Sequence, residues 1–320
     1  MKMYENKNVL LIGGGGTLGT PITEELLKLG CNVDVICPEE KISNNEHLVY
    51  HRDYVSEELL RNLFAKKHYH GIVNLIHYPD VEKYKQIHPL LSSNTDHLIF
   101  LSSYRVYADE EHPITEESPM LLDVSKDEAF LAKENYALSK AKGERYLRAS
   151  GTTNWTAVRP VISFSQYRFD LITTSGQTIP KKAQQNEPIE LPLAAKDLTA
   201  GWDWAGNSGK LIAHLLFKPE ALGQSYTIST AQNLKWSEAA DLFTKLTGAK
   251  FEWIDTDSYI AKYVGDDKGH LWRLIYDRFF DREMDNSKVL AATGLTADDF
   301  LPVEEGLRIE LRKAGWDVKE

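Results

Sequence analysis

Short, unbroken apolar runs alternate along this chain with longer segments whose apolar residues recur every three or four positions. The first run, Asn8-Val9-Leu10-Leu11-Ile12, passes directly into Gly13-Gly14-Gly15-Gly16-Thr17-Leu18-Gly19. Leu18, Ile22, Leu26 and Leu29 follow at helical spacing, with Pro21 suited to a first turn and Gly30 to a stop. Asn32 to Cys37 reads as a second strand and His47 to Tyr50 as a third, leading to Asp53 and an amphipathic helix that begins at Ser56. Gly71 to Ile76 and His97 to Ser102 are further apolar runs. Runs without polar alternation suit strands covered on both faces, so the pattern predicts a parallel sheet wrapped by helices.

The helical pattern returns from Glu134 to Ala149, and Trp155 to Arg159 reads as another strand. Beyond Pro160 the order is less regular, with Gly, Pro and Lys scattered from Thr174 to Pro192. Gln224 to Thr230 and Phe251 to Ile254 read as strands, and Ser237 to Thr247 as a helix closed by Gly248. The expected architecture is α/β. A doubly wound parallel sheet occupies residues 1–162, with a return segment near 193–220. A smaller mixed α/β substrate-binding domain is built from 163–192 and 221–320.

A chain of 320 residues with 42% apolar content can fill such a core. The net charge of −10 and the absence of a long Lys/Arg run argue against nucleic-acid or membrane partners, so any phosphate must be met by local groups. Cys31 and Cys37 fall on one face of one strand, too far apart to bridge, and read as thiols of a reducing compartment. The start MKMYENKN is charged and the apolar run after it is too short for a signal or a span, so a cytoplasmic location is expected.

The glycine segment changes this picture from a fold to a site. Gly13, Gly16 and Gly19 stand between a strand and a helix, where missing side chains let backbone N–H groups and the helix N-terminus approach a pyrophosphate. This is the Rossmann arrangement for a dinucleotide, with Thr17 and Leu18 inside the turn, the alternative being a glycine turn that serves packing alone. The second strand ends in Cys37-Pro38-Glu39-Glu40, so the acid that would hold the ribose hydroxyls arrives late. Glu39 favours NAD over NADP, although a solvated loop is an equal alternative. Asp53 could accept from the adenine amino group or cap the following turn.

Tyr136-Ala-Leu-Ser-Lys140 is a Tyr-x-x-x-Lys spacing of which about one is expected by chance in such a chain. Its context gives it weight, because residues four apart on a helix share a face. A neighbouring ammonium and an oxidised nicotinamide both favour a phenolate over a phenol, which suits Tyr136 to acid/base work. Ser103 lies at the carboxyl end of a predicted strand, where ligands of open α/β sheets bind, and its hydroxyl could hold a substrate oxygen.

Together these residues resemble the extended short-chain dehydrogenase/reductase family, in its NAD-dependent epimerase/dehydratase branch acting on nucleotide sugars. The likeness is carried by Gly13, Gly16 and Gly19, Asp53, Leu101-Ser102-Ser103 with Val106-Tyr107, Tyr136 with Lys140, and Val158-Arg159-Pro160. It implies Tyr136 as acid/base, Lys140 as ribose ligand and modifier of the tyrosine, Ser103 as partner of the substrate hydroxyl, and a C-terminal part that holds substrate. Pro79 to Asp96 is shorter than the family's long helix there and offers no aligned active-site asparagine. Tyr104-Arg105 replaces the Asp-Glu pair of related dehydratases, which disfavours dehydration. Arg159-Pro160-Val161-Ile162-Ser163-Phe164 lacks a usual glycine, and Gly201-Trp202-Asp203-Trp204 stands where a Val-Asp pair is usual. The two tryptophans could form a stacking wall, though an apolar anchor for the helix after them is favoured.

If the substrate carries a diphosphate, Arg168, Arg273 and Arg278, with Arg105 beside the serine and Lys181 or Lys182, could clamp it. His68-Tyr69-His70 has no third ligand at a metal spacing, so no metal is expected. Nucleoside-triphosphatase and hydrolase signatures are absent from the sequence. The expected activity is hydride transfer at a sugar-type hydroxyl carbon using NAD or NADP. A carbonyl reductase on a non-nucleotide substrate and a non-catalytic dinucleotide-sensing or RNA-associated binder are the alternatives. Expected partners are a small-molecule substrate, here a nucleotide sugar, and a second copy of the chain in a homodimer.

Overall fold

The computed structural model describes residues 3–134, 136–176 and 178–319, so the domain bounds expected at 1 and 320 lie outside the described residues. Seven strands form one parallel sheet: β1 (Asn8–Ile12), β2 (Asn32–Cys37), β3 (Leu48–Arg52), β4 (Tyr69–Asn74), β5 (Thr95–Leu101), β6 (Trp155–Pro160) and, far along the chain, β10 (Gln224–Ile228). Their order is β3-β2-β1-β4-β5-β6-β10. The chain runs outward from β1 to β3, then returns to β4 on the other side of β1, and this reversal opens a crevice at the carboxyl ends of β1 and β4.

Alternation within each strand covers both faces. Val9 and Leu11 of β1, with Val33 and Val35 of β2, pack under helix α1 (Gly19–Lys28) and the helix Ala205–Leu215. Leu10 and Ile12 join Leu60 of α2 (Glu57–Phe64), Tyr84 and Leu91 of α3 (Val81–Ser92), and Leu147 on the opposite face. Leu147 belongs to the helix Ala137–Ala149. The predicted doubly wound parallel α/β sheet is what the chain forms.

Two short parallel pairs complete the sheet structure. β7 (Ile162–Phe164) pairs with β9 (Trp202–Trp204), and β8 (Pro188–Pro192) pairs with β11 (Lys250–Ile254). They enclose a separate core that includes Phe164, Ile189, Leu191, Trp202, Trp236 and Phe243. The sequence partition differs from the structure where Val289, Ala292 and Leu295, expected in the C-terminal domain, pack in the core of the main sheet, and where β10, expected there too, is hydrogen-bonded to β6 as that sheet's edge. Its apolar residues Tyr226 and Ile228 are buried with the Ala205–Leu215 helix, which is the physical reason it belongs there.

Trp202 stacks on Phe164 at 4.3 Å, while the Trp204 indole N–H donates to Glu310 at 3.2 Å. Asp203 between them is buried and accepts from the Thr230 N–H and hydroxyl and from Asn207. These residues anchor the C-terminal core and do not line the cleft described next. Among the described residues no helix is long and apolar enough to cross a membrane.

Candidate active site

A cleft of about 560 Å³ opens at the carboxyl ends of β1, β4, β5 and β6. Its inner end is the glycine turn: Gly13, Gly16, Thr17, Leu18 and Gly19 all line it. The turn is tied to the sheet by the Gly13 and Gly14 N–H groups, which donate to the Ile36 carbonyl at 2.9 and 3.3 Å. A side chain at Gly19 would collide with the Gly14 carbonyl, so the turn needs glycine for closeness of backbone to backbone. A Cβ at Gly16 would meet no protein atom and would stand in the open cleft, just before the first turn of α1. That is the cradle a pyrophosphate requires, so the residues present fit a dinucleotide.

Glu39 is exposed but folds back, so that its carboxylate fills the space a side chain at Gly15 would take. Lys41 donates its ammonium to the Gly15 carbonyl at 2.6 Å and lies 5.5 Å from the centre of the Tyr167 ring. Asp53 is exposed beside the end of β2; its N–H donates to the Cys37 carbonyl at 3.1 Å and its carboxylate accepts the Tyr54 N–H at 2.7 Å. The cap of α2 is Ser56, whose hydroxyl accepts the Leu59 N–H.

Ser103 and Tyr136 line the same cleft. The Ser103 hydroxyl oxygen accepts the Arg105 N–H at 3.2 Å, which leaves its proton free to donate to an incoming oxygen. Tyr136 is the residue before the Ala137–Ala149 helix, not inside it, and its carbonyl accepts the Lys140 N–H. Glu134 holds this helix start by accepting the N–H groups of Tyr136, Ala137 and Leu138 at 2.9 to 3.0 Å. The Tyr136 ring lies between His77, with ring centres 4.9 Å apart, and Arg105, whose guanidinium carbon is 4.9 Å from the ring centre.

Lys140 takes a different place. Its ammonium is buried and donates to the Leu101 carbonyl at 2.6 Å, beneath the cleft and not in its lining. Burial lowers its pKa to about 7, against the opposing pull of the Glu144 charge. Glu144 in turn is gripped by Arg159 through two hydrogen bonds of 2.9 and 2.7 Å, and it accepts from the Ser102 hydroxyl. Burial pushes the Glu144 carboxyl up, but the Arg159 charge and hydrogen bonds outweigh this and hold it below the usual range. Arg159 also donates to the Tyr107 hydroxyl at 2.8 Å and the Glu116 carbonyl at 2.9 Å. This buried network fixes the end of β5, from which Ser103 projects.

The outer end of the cleft is cationic. Arg105, Arg168, Arg273 and Arg278 all line it, against one lining carboxylate, Asp170, which pairs with Arg168 at 2.7 Å. Arg278 donates to the Tyr104 hydroxyl at 2.9 Å and the Ile172 carbonyl at 2.8 Å. Behind it the buried Asp277 contacts Arg278, Arg105 at 3.3 Å and Arg282 at 3.6 Å. Burial raises the Asp277 carboxyl, and the three guanidinium charges bring it back below its ordinary value. Burial and then the nearby Arg278 and Arg105 charges lower the Arg273 guanidinium. Lys181 and Lys182 are not in this lining.

His77, Asp170, Asp277 and Arg282 were not singled out in the sequence. His77 follows the apolar run of β4, and the rule that ligands of open sheets sit at strand ends could have found it. Nothing local marks the other three, because their meeting depends on the fold.

The site thus combines the glycine turn of a dinucleotide-binding α/β fold with a serine, a tyrosine and four arginines on one cleft. Over residues 9–205 the chain matches the NAD dependent epimerase/dehydratase family, to which it belongs. A comparison with curated proteins returns no match. Among solved structures it is similar to the epimerase Mth375 of Methanothermobacter thermautotrophicus, at 18% identity and a TM-score of 0.71 over 97% of this chain and 92% of that one. It is also similar to WbmF of Bordetella bronchiseptica in complex with NAD+ and UDP, at 16% identity and a TM-score of 0.65 over 98% and 93%. The UDP-glucose 4-epimerase of Thermus thermophilus in complex with NAD gives 16% identity and a TM-score of 0.65 over 96% and 99%. At these identities the likeness is one of fold.

Proposed function

We propose that the protein is an NAD-dependent enzyme that oxidises and re-reduces a hydroxyl-bearing carbon of a nucleotide sugar, with inversion at that carbon as the net result. One observation carries this: the glycine turn, Ser103, Tyr136 and four arginines face a single cleft. Hydride transfer needs the first three features, and a diphosphate-linked substrate needs the fourth. Family membership, the NAD-bound UDP-glucose 4-epimerase and the enzyme WbmF bound to NAD+ and UDP, both of the same fold, support it.

Bound NAD would supply the hydride acceptor, and in its reduced form the donor, on the reacting carbon. Gly16 and the start of α1 would take its pyrophosphate, and Lys140 would meet its ribose by leaving the Leu101 carbonyl. The Glu39 carboxylate would accept from the ribose hydroxyls and would repel a 2′-phosphate, which favours NAD over NADP. Tyr136 takes the substrate hydroxyl proton as the carbon loses hydride, and Ser103 donates a hydrogen bond to the same oxygen. For inversion the intermediate ketone must present its other face before hydride and proton return. Arg168, Arg273 and Arg278 hold the diphosphate while it turns.

The test pairs a panel of nucleotide sugars, followed by NMR of the product, with Tyr136→Phe. Interconversion of epimers without net NADH consumption is expected, and Tyr136→Phe should lose about 10²- to 10⁴-fold in turnover with NAD affinity nearly unchanged. Turnover of that variant within a few-fold of wild type would remove Tyr136 from the acid/base role. Net NADH consumption on a substrate without a nucleotide would point instead to a carbonyl reductase.

A further inference from the structure

Arg105 occupies a place in this cleft that diphosphate binding does not explain. Its guanidinium lies over the ring of Tyr136, at 4.9 Å from the ring centre, so this lining arginine packs directly on the residue proposed as acid/base. It lines the main cleft and also a neighbouring groove of about 450 Å³, the two cavities sharing Arg105, Tyr136 and Arg273. Room for a substituent therefore exists on either side of the guanidinium.

Its charge has no carboxylate of its own. Asp277, at 3.3 Å, is shared with Arg278 and Arg282, and the Nε of Arg105 is buried without a hydrogen-bond partner among the described residues. Glu134 is 3.9 Å away and already accepts three backbone N–H groups at the helix start. Arg273 stands nearby with its guanidinium half-buried and no ion pair among the described residues. Arg105 thus stands on the tyrosine ring with its charge only partly balanced by a shared Asp277 and the longer contact to Glu134, and Arg273 lines the same cleft.

Resting on the proposed nucleotide-sugar activity, we propose that the sugar carries a carboxylate on the carbon next to the one that is oxidised, and that Arg105 is the residue that selects it. A planar guanidinium presents two parallel N–H groups to a carboxylate, a match that a hydroxymethyl group cannot make. A neutral sugar would leave the same guanidinium desolvated with only its share of Asp277 and the longer contact to Glu134, which selects against it as well. The diphosphate, farther from the reacting carbon, remains with Arg168, Arg273 and Arg278.

The experiment is isothermal titration of the NAD-loaded full chain with UDP-glucuronate and with UDP-glucose, for wild type, Arg105→Gln and Arg105→Lys. Wild type should bind UDP-glucuronate about ten- to a hundredfold more tightly, the range of a charged hydrogen-bonded pair. Arg105→Gln should erase that preference by weakening the acid alone, and Arg105→Lys should keep part of it. NAD affinity, measured on each variant, checks that the fold is intact. Equal binding of the two sugars by wild type would overturn the carboxylate assignment while leaving the nucleotide-sugar reading in place. Equal weakening of both by Arg105→Gln would overturn it too and assign Arg105 to the diphosphate. Failure of both sugars and of free UDP would overturn the nucleotide reading. Saturation-transfer NMR with unlinked glucuronate and glucose then decides the carboxylate: preference for glucuronate, lost in Arg105→Gln, supports it, and no preference ends it.

Discussion

Replacing Lys140 by Met tests how this site stores charge. The ammonium is 2% exposed and its pKa falls from 10.5 to about 7, with burial as the main cause. Because the folded value lies below the unfolded one, between pH 7 and 10.5 the unfolded chain holds a proton that the folded chain has released. Stability from this group therefore rises with pH through that window and is lowest below it. Each pKa unit is worth about 1.4 kcal/mol, so the burden amounts to roughly 5 kcal/mol at pH 6 and roughly 2 kcal/mol at pH 9. Met has similar length and no charge. The lost hydrogen bond to the Leu101 carbonyl costs about 1 kcal/mol at any pH, since ammonium and amine both donate, and it cancels in a comparison across pH. Urea unfolding of wild type and Lys140→Met at pH 6, 7.5 and 9 should show wild type gaining about 2–3 kcal/mol on the variant between the extremes. A difference between the two proteins that stays constant across pH would mean that Lys140 is not held near neutrality by the fold, and the assignment of burial as the cause would be refuted.

Three further outcomes are expected. Arg159→Met should destabilise the protein by about 3–5 kcal/mol in denaturant unfolding, because it leaves the buried Glu144 carboxylate without its principal partner and with only the longer contact to Arg148; the double variant with Glu144→Leu should recover part of that loss. Gly19→Ala should weaken NAD binding at least about tenfold in calorimetry, because the turn must open to clear the Gly14 carbonyl. Glu39→Gln should shift the NAD-to-NADP affinity ratio toward NADP by about tenfold, and an unchanged ratio would place the ribose elsewhere.

The cofactor half of the site was legible because its chemistry is local. β1, the glycines and α1 are contiguous, and the unbroken apolar runs of β4 and β5 announce strands buried on both faces. Tyr136 and Lys140 were legible as a pair, but the fate of the ammonium was not: helical spacing puts two side chains on one face without saying which reaches solvent. Lys140 turns to the backbone of Leu101 because β5 lies beneath its helix, a tertiary fact. β10 was recognisable as a strand, yet its place at the edge of the main sheet depends on packing against residues distant in sequence. The four arginines were each visible as candidates, whereas their convergence was not. Arg105 follows β5, Arg168 follows β7, and Arg273 and Arg278 come from the last quarter of the chain.

That separation in the chain has a functional consequence. The glycine turn and the strands beneath it are fixed by the β1-to-β4 reversal, while two of the three arginine segments hang on the C-terminal core. Asp277 joins the two halves, since it meets Arg278 and Arg282 of its own segment and Arg105 from the end of β5. Arg278 then reaches across to Tyr104, the residue after Ser103. The proposed substrate end is thereby referenced to the same strand end that carries the serine, so an anion bound there by the arginines would be held at a set distance from Ser103 and Tyr136. Preorganisation of this kind gives binding energy at a remote group its use in chemistry, because it positions the reacting carbon and not merely the ligand. A change at Asp277 should therefore disturb turnover and substrate affinity together while sparing the dinucleotide, which rests on residues that Asp277 does not touch.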